Sequence, residues 1–255
     1  MDLLGSFIIA CSMYSRIPMP VAEWTGKRMR YALCFFPFIG LVIAAVVCGS
    51  ARLCVYLGGN RLVYSCLGTV IPLFITGGIH LDGYLDVADA RSSLQSQKQK
   101  LEILKDPHVG AFAVIHCGVY LILYLGVFST FYQHSLIPLA GVYVLTRALS
   151  GWSVVSFPKA KPDGTVQAFA AGAQVRIVRF CMLGWAAAAV LWMAGTGSIR
   201  LGLIMFLTAG AVMLWYHRLS KREFGGITGD LAGYFLQLCE IAMLLTASIY
   251  YCLLK

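Results

Sequence analysis

Long apolar stretches separated by short polar connections take up most of the chain. A helix needs about 20 apolar residues to cross the hydrocarbon core of a bilayer, and seven segments approach or exceed that length. They cover residues 31–57, 62–79, 110–132, 136–157, 175–194, 199–217 and 233–254. A shorter apolar stretch at residues 3–11 predicts an N-terminal interfacial helix. The pattern therefore predicts an all-α fold, a polytopic membrane helical bundle of about seven transmembrane helices that forms a single integral membrane domain over residues 1–255.

The amino-acid composition supports a membrane protein and limits the classes of molecule that it is expected to bind. Of the 255 residues, 59% are hydrophobic and 12% are charged, whereas a soluble domain carries roughly 25% charged residues. Basic loops at a membrane explain the net charge of +9, because no basic run is long or interleaved with aromatic residues as in a nucleic-acid-binding surface. The nine cysteines have no CxxC spacing, so they indicate neither a zinc site nor a disulfide framework. We expect small-molecule substrates and membrane lipid as partners and no nucleic acid, and the pattern leaves room for a homo-oligomer.

The distribution of lysine and arginine predicts the orientation in the membrane. With the N-terminus in the cytoplasm, 15 of the 20 basic residues lie on inner connections, four lie on outer ones, and Arg147 lies within a helix. Such an excess is typical of the cytoplasmic side. The long connections at residues 80–109, 158–174 and 218–232 all fall on that side, so we expect the active site there.

Three aspartates, Asp82, Asp86 and Asp89, follow a helical spacing directly after the second predicted span. On a helix they share an arc of about 60°, and carboxylates so close repel one another unless a cation offsets their charge. A hard divalent ion with oxygen ligands, Mg²⁺ or alternatively Mn²⁺, is the natural partner. His80 points to the opposite face of this helix and is interpreted as structural. The alternative is a solvated acidic face with nearby basic counter-charges, namely Arg91, Lys98 and Lys100.

Several isolated ionisable residues are further candidates. Lys105 is placed to pair with a phosphate, and Asp106 precedes a proline and so sits in a turn, where it either joins the site or caps the next helix. Arg147 and Glu240 lie inside predicted spans, where a charge is expensive and needs a partner. They either pair with each other, or Arg147 reaches an anionic ligand.

The segment 221–233 combines a basic start with four glycines. Backbone amides of Gly225, Gly226 and Gly229, together with the charge of Lys221, predict a phosphate cradle at the start of a helix. The alternative is a tight connector. Asp230 then acts either as a metal ligand or as a helix cap.

Taken together, these segments resemble the cobalamin synthase family, whose members are adenosylcobinamide-GDP ribazoletransferases. Residues 76–90, TGGIHLDGYLDVADA, are similar to the most diagnostic family pattern, TGGxHLDGxxDxxD. Residues 15–20 (SRIPMP), 36–40 (FPFIG), 105–110 (KDPHVG) and 225–230 (GGITGD) are similar to further family motifs in the same order. The resemblance runs nearly end to end.

The resemblance implies a late step of vitamin B12 (cobalamin) biosynthesis at the bacterial inner membrane. Such an enzyme transfers the adenosylcobinamide phosphate moiety from adenosylcobinamide-GDP, a nucleotide-diphosphate substrate, to α-ribazole or α-ribazole 5′-phosphate, releases GMP, and depends on magnesium. Asp82, Asp86, Asp89 and Asp230 are then the expected metal ligands, and Asp89 or Asp106 is expected to orient the metal or to accept the hydroxyl proton. The expected contacts to substrate phosphates are Lys105, Arg147, Lys221, Gly225, Gly226 and Gly229.

Two other functions share parts of the pattern. A CDP-alcohol phosphotransferase that makes phospholipid also uses aspartates with Mg²⁺, but its DGxxAR element is absent, because residues 82–87 read DGYLDV. A cation transporter would use the aspartates as an ion path, but they lie at the edge of a predicted span, and no internal repeat supports that layout.

Overall fold

The structure, a computed structural model, describes residues 2–160 and 172–253. Within these ranges it contains 11 α-helices and two short 3₁₀ segments and no β-sheet, so the predicted all-α class is confirmed. The middle of the predicted connection at residues 158–174 lies outside the described residues. In chain order the helices are α1 (Leu3–Tyr14), α2 (Gly26–Ala32), α3 (Phe36–Tyr56), α4 (Arg61–Thr76), α5 (Ile79–Ser92), α6 (Gln97–Ile103), α7 (Ala111–Ser129), α8 (Ala140–Ser156), α9 (Val175–Thr196), α10 (Ile199–Phe224) and α11 (Gly229–Leu253).

Among the described residues, five helical stretches are long and apolar enough to cross a membrane. The pair α4 and α5 makes a sixth if it counts as one bent span. The chain is therefore a multi-pass membrane protein, as expected, with five or six spans by length and composition where the sequence predicts about seven. The five stretches are Gly26–Tyr56, Ala111–Gln133, Val175–Thr196, Ile199–Phe224 and Gly229–Leu253.

Helix α8 is the predicted span that neither count includes. The predicted span at residues 136–157 forms a helix of 17 residues, about 25 Å long at a rise of 1.5 Å per residue. Thirteen of those residues are buried, because α8 packs against α3, α9 and α11. Since other helices cover α8, packing inside the bundle rather than contact with lipid sets its composition, and polar residues are tolerated there.

The second predicted span ends earlier than expected and turns sharply. Helix α4 contains Pro72 and stops at Thr76, and the chain then bends by 95° into α5. Gly77 and Gly78 make the turn with φ angles of +64° and +79°, a left-handed conformation that residues with a Cβ rarely adopt. Helix α5 carries three aspartates and one arginine in 14 residues, so we place it outside the membrane-spanning helices.

Close packing of α5 against the start of α11 positions the acidic residues. A Cβ added to Gly83 would lie 2.8 Å from the Cα of Asp230, and one added to Gly233 would lie 3.1 Å from the carbonyl oxygen of His80. Both distances are shorter than the 3.4–4 Å of ordinary van der Waals contacts of a Cβ. Glycine at these positions lets the two helix backbones approach directly, which brings the aspartates of α5 next to Asp230.

Candidate active site

Three carboxylates from α5 and α11 form a group that we call the carboxylate cluster: Asp82, Asp86 and Asp230. Asp82 is exposed, whereas Asp86 and Asp230 are half-buried. Burial, and then the negative charges of Asp82, Asp230 and Asp89, raise the pKa of Asp86 to about 6. The structure therefore brings residues that are more than 140 positions apart in the chain close enough to act on one another electrostatically.

No basic side chain neutralises Asp82 or Asp86 among the residues that the structure describes. Two of the expected counter-charges are engaged elsewhere, because Arg91 and Lys100 pair with Glu223 at 3.3 and 2.7 Å. These ion pairs connect α5 and α6 to the end of α10. Arg91 and Lys100 therefore do not act as counter-charges of a solvated acidic face, whereas the structure shows no ion pair for Lys98, the third residue of that alternative, among the residues it describes.

The chemistry of the carboxylate cluster fits Mg²⁺. Carboxylate oxygens are hard ligands, and proteins usually bind Mg²⁺ through one or two carboxylates together with substrate phosphates and waters. Within residues 2–160 and 172–253, no three His, Cys, Asp or Glu side chains converge closely enough to hold a metal ion by themselves.

A cavity of about 230 Å³, here called the inner cavity, lies between α1, α3, α5, α8 and α11, and both Asp82 and Asp230 line it. Thr228 caps α11, since its hydroxyl accepts a hydrogen bond from the amide of Leu231 at 3.2 Å. The same hydroxyl donates to the Asp230 carboxylate at 3.3 Å. Capping is therefore the role of Thr228 and not of Asp230, whose position on the cavity wall favours a role in the site.

Three aromatic residues, Tyr14, Phe36 and His80, are among those that line the inner cavity. The ring of Phe36 lies 4.3 Å from that of Tyr14 and 5.5 Å from that of His80, measured between centroids. His80 is buried, and its Nε2 atom has no hydrogen-bond partner in the described part of the chain. Burial, and then the charge of Arg147, lower the pKa of His80 to about 3, so the imidazole is neutral at pH 7. The sequence predicts that His80 faces away from the site, yet His80 is one of the residues that line the same cavity as Asp82 and Asp230.

Asp82 also lines a second, larger cavity of about 630 Å³, here called the outer cavity. Its wall includes Arg16 and the turn at Gly77 and Gly78. Arg16 is held beside this turn because its amide donates to the carbonyl of Ile75 at 2.7 Å. Asp82 therefore lies between an aromatic cavity with a second carboxylate and a wider cavity with a basic side chain.

The two carboxylates predicted to be catalytic have local partners. The carboxylate of Asp89 lies against Gly110 and accepts a hydrogen bond from the amide of Ala113 at 3.3 Å, so it stabilises the N-terminus of α7. Asp106 is exposed and accepts a hydrogen bond from the amide of His108 at 3.0 Å, which is the main reason that the pKa of Asp106 lies below its usual value. Neither carboxylate lines the inner cavity.

The glycine-rich connection between α10 and α11 does not offer the free amides that the sequence predicts. The amide of Gly226 donates to the carbonyl of Ser220 at 3.0 Å, and the amide of Ile227 donates to the carbonyl of Pro158 at 2.8 Å. These bonds end α10 and join the loop to the segment after α8. Gly229, by contrast, lies at the start of α11 and lines the inner cavity.

The predicted basic contacts are dispersed. Arg147 is buried in α8 and donates to a carboxylate oxygen of Glu240 at 3.1 Å and to the carbonyl of Tyr143 at 2.9 Å. Of the two roles considered for Arg147, the structure has the internal pair. Three other residues that the sequence predicts to contact phosphate are exposed and do not line the inner cavity. They are Lys105, Lys221 and Gly225.

Sequence reasoning missed the contributions of α1 and α3. Tyr14 and Phe36 lie far from the aspartates in the chain, and their apolar surroundings do not distinguish them from ordinary core residues. Arg16 was missed as well, because nothing in its surroundings distinguishes it from the other basic residues of the connections. The one signal that could have found them is the resemblance to family motifs at residues 15–20 and 36–40.

Residues 6–248 match the protein family described as cobalamin-5-phosphate synthase. A protein of Lachnoclostridium phytofermentans named adenosylcobinamide-GDP ribazoletransferase is 46% identical over 241 residues, which cover 94% of this chain and 92% of that protein. Proteins of the same name from Treponema denticola and Clostridium botulinum strain Alaska E43 are 32% and 30% identical, over 96% and 98% of this chain and 97% and 99% of theirs. No solved structure matches the chain.

Proposed function

The chain belongs to the cobalamin-5-phosphate synthase family, and we infer that it transfers the adenosylcobinamide phosphate moiety of adenosylcobinamide-GDP to α-ribazole or α-ribazole 5′-phosphate. GMP is released, and the product is adenosylcobalamin or its 5′-phosphate. The observation that carries this conclusion is the match of nearly the whole chain to relatives named for this activity. The family resemblance of the sequence motifs is thereby confirmed.

The two cavities suggest how the substrates meet. A ribose hydroxyl of the acceptor attacks the phosphorus on the corrinoid side of the diphosphate, the bond to the GMP oxygen breaks, and GMP leaves with the electron pair. The hydroxyl proton passes to a carboxylate of the cluster. Because Asp82 lies on the wall of both cavities, a donor diphosphate in the outer cavity and an acceptor in the inner cavity come together beside it. Arg16 is placed to bind phosphate oxygens of the donor by charge-assisted hydrogen bonds.

We propose that the carboxylate cluster holds Mg²⁺, with substrate phosphates supplying the remaining ligands. Bound Mg²⁺ neutralises charge on the diphosphate oxygens and on the leaving GMP. Mn²⁺ prefers the same oxygen ligands and is the expected substitute. Asp89, near the end of α5, supports this site because its carboxylate accepts a hydrogen bond from the amide of Ala113 and so anchors α5 to the start of α7.

We also propose that the protein lies in the bacterial inner membrane with its N-terminus and its active site on the cytoplasmic side. The excess of basic residues on one set of connections supports this orientation. The chemistry supports it as well, because a nucleotide-activated donor and free GMP are cytoplasmic species.

Release of GMP by the purified protein, in detergent or liposomes, tests the proposed function. With adenosylcobinamide-GDP and α-ribazole present, we expect one GMP to form for each molecule of corrinoid product. GMP release should stop on addition of EDTA and resume when Mg²⁺ is added in excess. Asp82→Asn and Asp86→Asn should abolish turnover, and extra Mg²⁺ should not restore it. Glu102→Gln, which changes an exposed carboxylate of the neighbouring helix α6, is the matched control and should keep full activity.

Two results would contradict this scheme at different levels. If the wild-type protein releases no GMP with both substrates present, the assigned activity is wrong. If Asp82→Asn keeps a tenth or more of the wild-type rate, the activity stands but Asp82 is not a metal ligand.

A further inference from the structure

The aromatic part of the inner cavity has no role in the phosphoryl transfer described above. Its lining includes Tyr14, Phe36, His80 and Val154, which come from four different helices. Of these, His80 is 5% exposed, and its Nε2 atom lacks a hydrogen-bond partner in the described part of the chain. Buried polar atoms in native structures are almost always paired. Since His80 is a lining residue of this cavity, its unpaired imidazole nitrogen calls for a partner from outside the chain.

We propose that the inner cavity is the binding site for the benzimidazole base of the acceptor nucleoside, and that Nε2 of His80 donates a hydrogen bond to the ring nitrogen that carries no sugar. This inference rests on the proposed function, since it concerns the acceptor of that reaction. It assigns His80, Phe36 and Tyr14 to substrate binding and selection.

The size of the cavity suits a flat bicyclic base. An apolar cavity of about 150 Å³ is enough to bind benzene, and the inner cavity has a volume of about 230 Å³. The additional volume accommodates a second fused ring. A whole nucleotide diphosphate or a corrinoid is far too large for this space. The guanine of the donor is also bicyclic, but it is attached to the diphosphate that we place in the outer cavity, which leaves the inner cavity to the acceptor base.

The chemistry of the walls also matches such a base. Aromatic rings pack favourably against one another in offset or edge-to-face arrangements, and the rings of Tyr14, Phe36 and His80 already lie within 6.3 Å of each other. A benzimidazole that bears a sugar on one nitrogen keeps the other nitrogen as a hydrogen-bond acceptor. A histidine ring that carries a proton on Nε2 can donate to this second nitrogen.

The position of the carboxylates orients the nucleoside. Asp82 and Asp230 line the same cavity as His80. With the base among the aromatic rings and its free nitrogen at His80, we place the sugar, which is on the other nitrogen of the same five-membered ring, on the side of the cavity that Asp82 and Asp230 line. The attacking hydroxyl is then delivered to Asp82, where the inner and outer cavities meet.

The hydrogen bond is tested by an acceptor that lacks the free nitrogen. The probe is the α-riboside of 5,6-dimethylindole, which has the shape of α-ribazole with carbon in place of that nitrogen. A site built to hydrogen-bond a substrate atom rejects the analogue without it, so we expect the wild-type protein to prefer α-ribazole at least tenfold in kcat/KM. In His80→Phe this preference should fall to about one, and His80→Gln, which keeps a donor, should retain part of it.

This ratio does not depend on how much of a variant folds, because both nucleosides are compared on the same preparation. A wild-type protein that uses both nucleosides equally, or a His80→Phe variant that keeps the wild-type preference, would overturn the role of His80. A wild-type protein that turns over neither nucleoside would instead contradict the proposed function.

The location of the base is tested by filling the cavity. Val154→Phe adds a ring from α8 into the inner cavity and should raise KM for α-ribazole at least tenfold, while KM for adenosylcobinamide-GDP stays within twofold. Val155→Phe is the matched control, because Val155 is equally buried on α8 but does not line the cavity, and it should change the two KM values alike or not at all. An equal rise of both KM values in Val154→Phe, or no rise, would show that the base binds elsewhere.

Discussion

Replacing Gly83 by alanine tests whether close packing of α5 on α11 positions the carboxylate cluster. The new Cβ would lie 2.8 Å from the Cα of Asp230 and 2.9 Å from its carbonyl oxygen. Carbon atoms normally approach to about 3.5–4.0 Å, so the two helices must separate by roughly 0.7 Å or more. Both contacted atoms belong to the backbone, and therefore no side-chain rotation relieves the overlap.

This separation acts on activity and stability together. Asp82 and Asp86 move with α5, whereas Asp230 moves with α11. Misplacing a reacting group by about 1 Å costs on the order of 100-fold in rate, and overpacking a well-packed contact costs about 1–3 kcal/mol. We expect Gly83→Ala to reduce GMP release about 100-fold and to lower Tm by several degrees.

The assay is initial GMP release at saturating substrates, with Tm measured on the same preparation. Gly118→Ala in α7 is the matched control, because no atom lies within 4 Å of the added Cβ. Alanine is the better helix former by about 1 kcal/mol, so this variant should keep full activity and an equal or higher Tm. Gly233→Ala, with a less severe contact of 3.1 Å, should fall between the two. A Gly83→Ala protein with half or more of the wild-type rate at unchanged Tm would refute the reasoning.

Three further predictions follow from charge, capping and topology. Since the pKa of Asp86 is raised from 3.8 to about 6, the ionised carboxylate destabilises the metal-free protein at pH 7, and stability is recovered as pH falls through 6 toward 4. In EDTA, Asp86→Asn should therefore have a higher Tm than wild type at pH 7.5 and lose that advantage near pH 4; an advantage independent of pH would contradict this. Asp230→Asn should reduce turnover by orders of magnitude at unchanged Tm, and near-normal turnover would count against a role of Asp230 as a metal ligand. Thr228→Ala should instead lower the free energy of unfolding by about 1 kcal/mol, because the helix cap is lost. Ser96→Cys, at an exposed position in a cysteine-free background, should resist an impermeant thiol reagent in intact cells and react after permeabilisation, and strong labelling in intact cells would reverse the proposed orientation.

The membrane class and the acidic motif could be predicted from the sequence because each depends on local spacing. Apolar stretches of about 20 residues need a hydrocarbon environment wherever they pack. Likewise, the spacing of Asp82, Asp86 and Asp89 places three carboxylates on one side of any helix that contains them. The number of spans was less predictable, because α8 is enclosed by other helices and its length and composition no longer report contact with lipid.

Which aspartates share a site was decided only by the tertiary structure. Asp89 follows the same helical spacing as Asp82 and Asp86, yet its carboxylate lies at the N-terminus of α7, while Asp230 joins the cluster from the far end of the chain. The 95° turn after α4 and the contact between the backbones of α5 and α11 at Gly83 set this arrangement, and neither leaves a periodic signal in the sequence.

The sequence by itself determined that this chain is a helical membrane protein with a helical spacing of three aspartates, and the motifs together determined its family. Only the tertiary structure placed His80, Tyr14 and Phe36 on one cavity wall and paired Arg147 with Glu240. It also showed that the amide of Gly226 donates a hydrogen bond to the carbonyl of Ser220 and is therefore not free to bind phosphate. The physical reason is that hydrophobic periodicity records which face of a helix is buried. It does not record which distant side chains share that burial, because the same apolar or aromatic residue satisfies a filled core and the wall of an open cavity equally well.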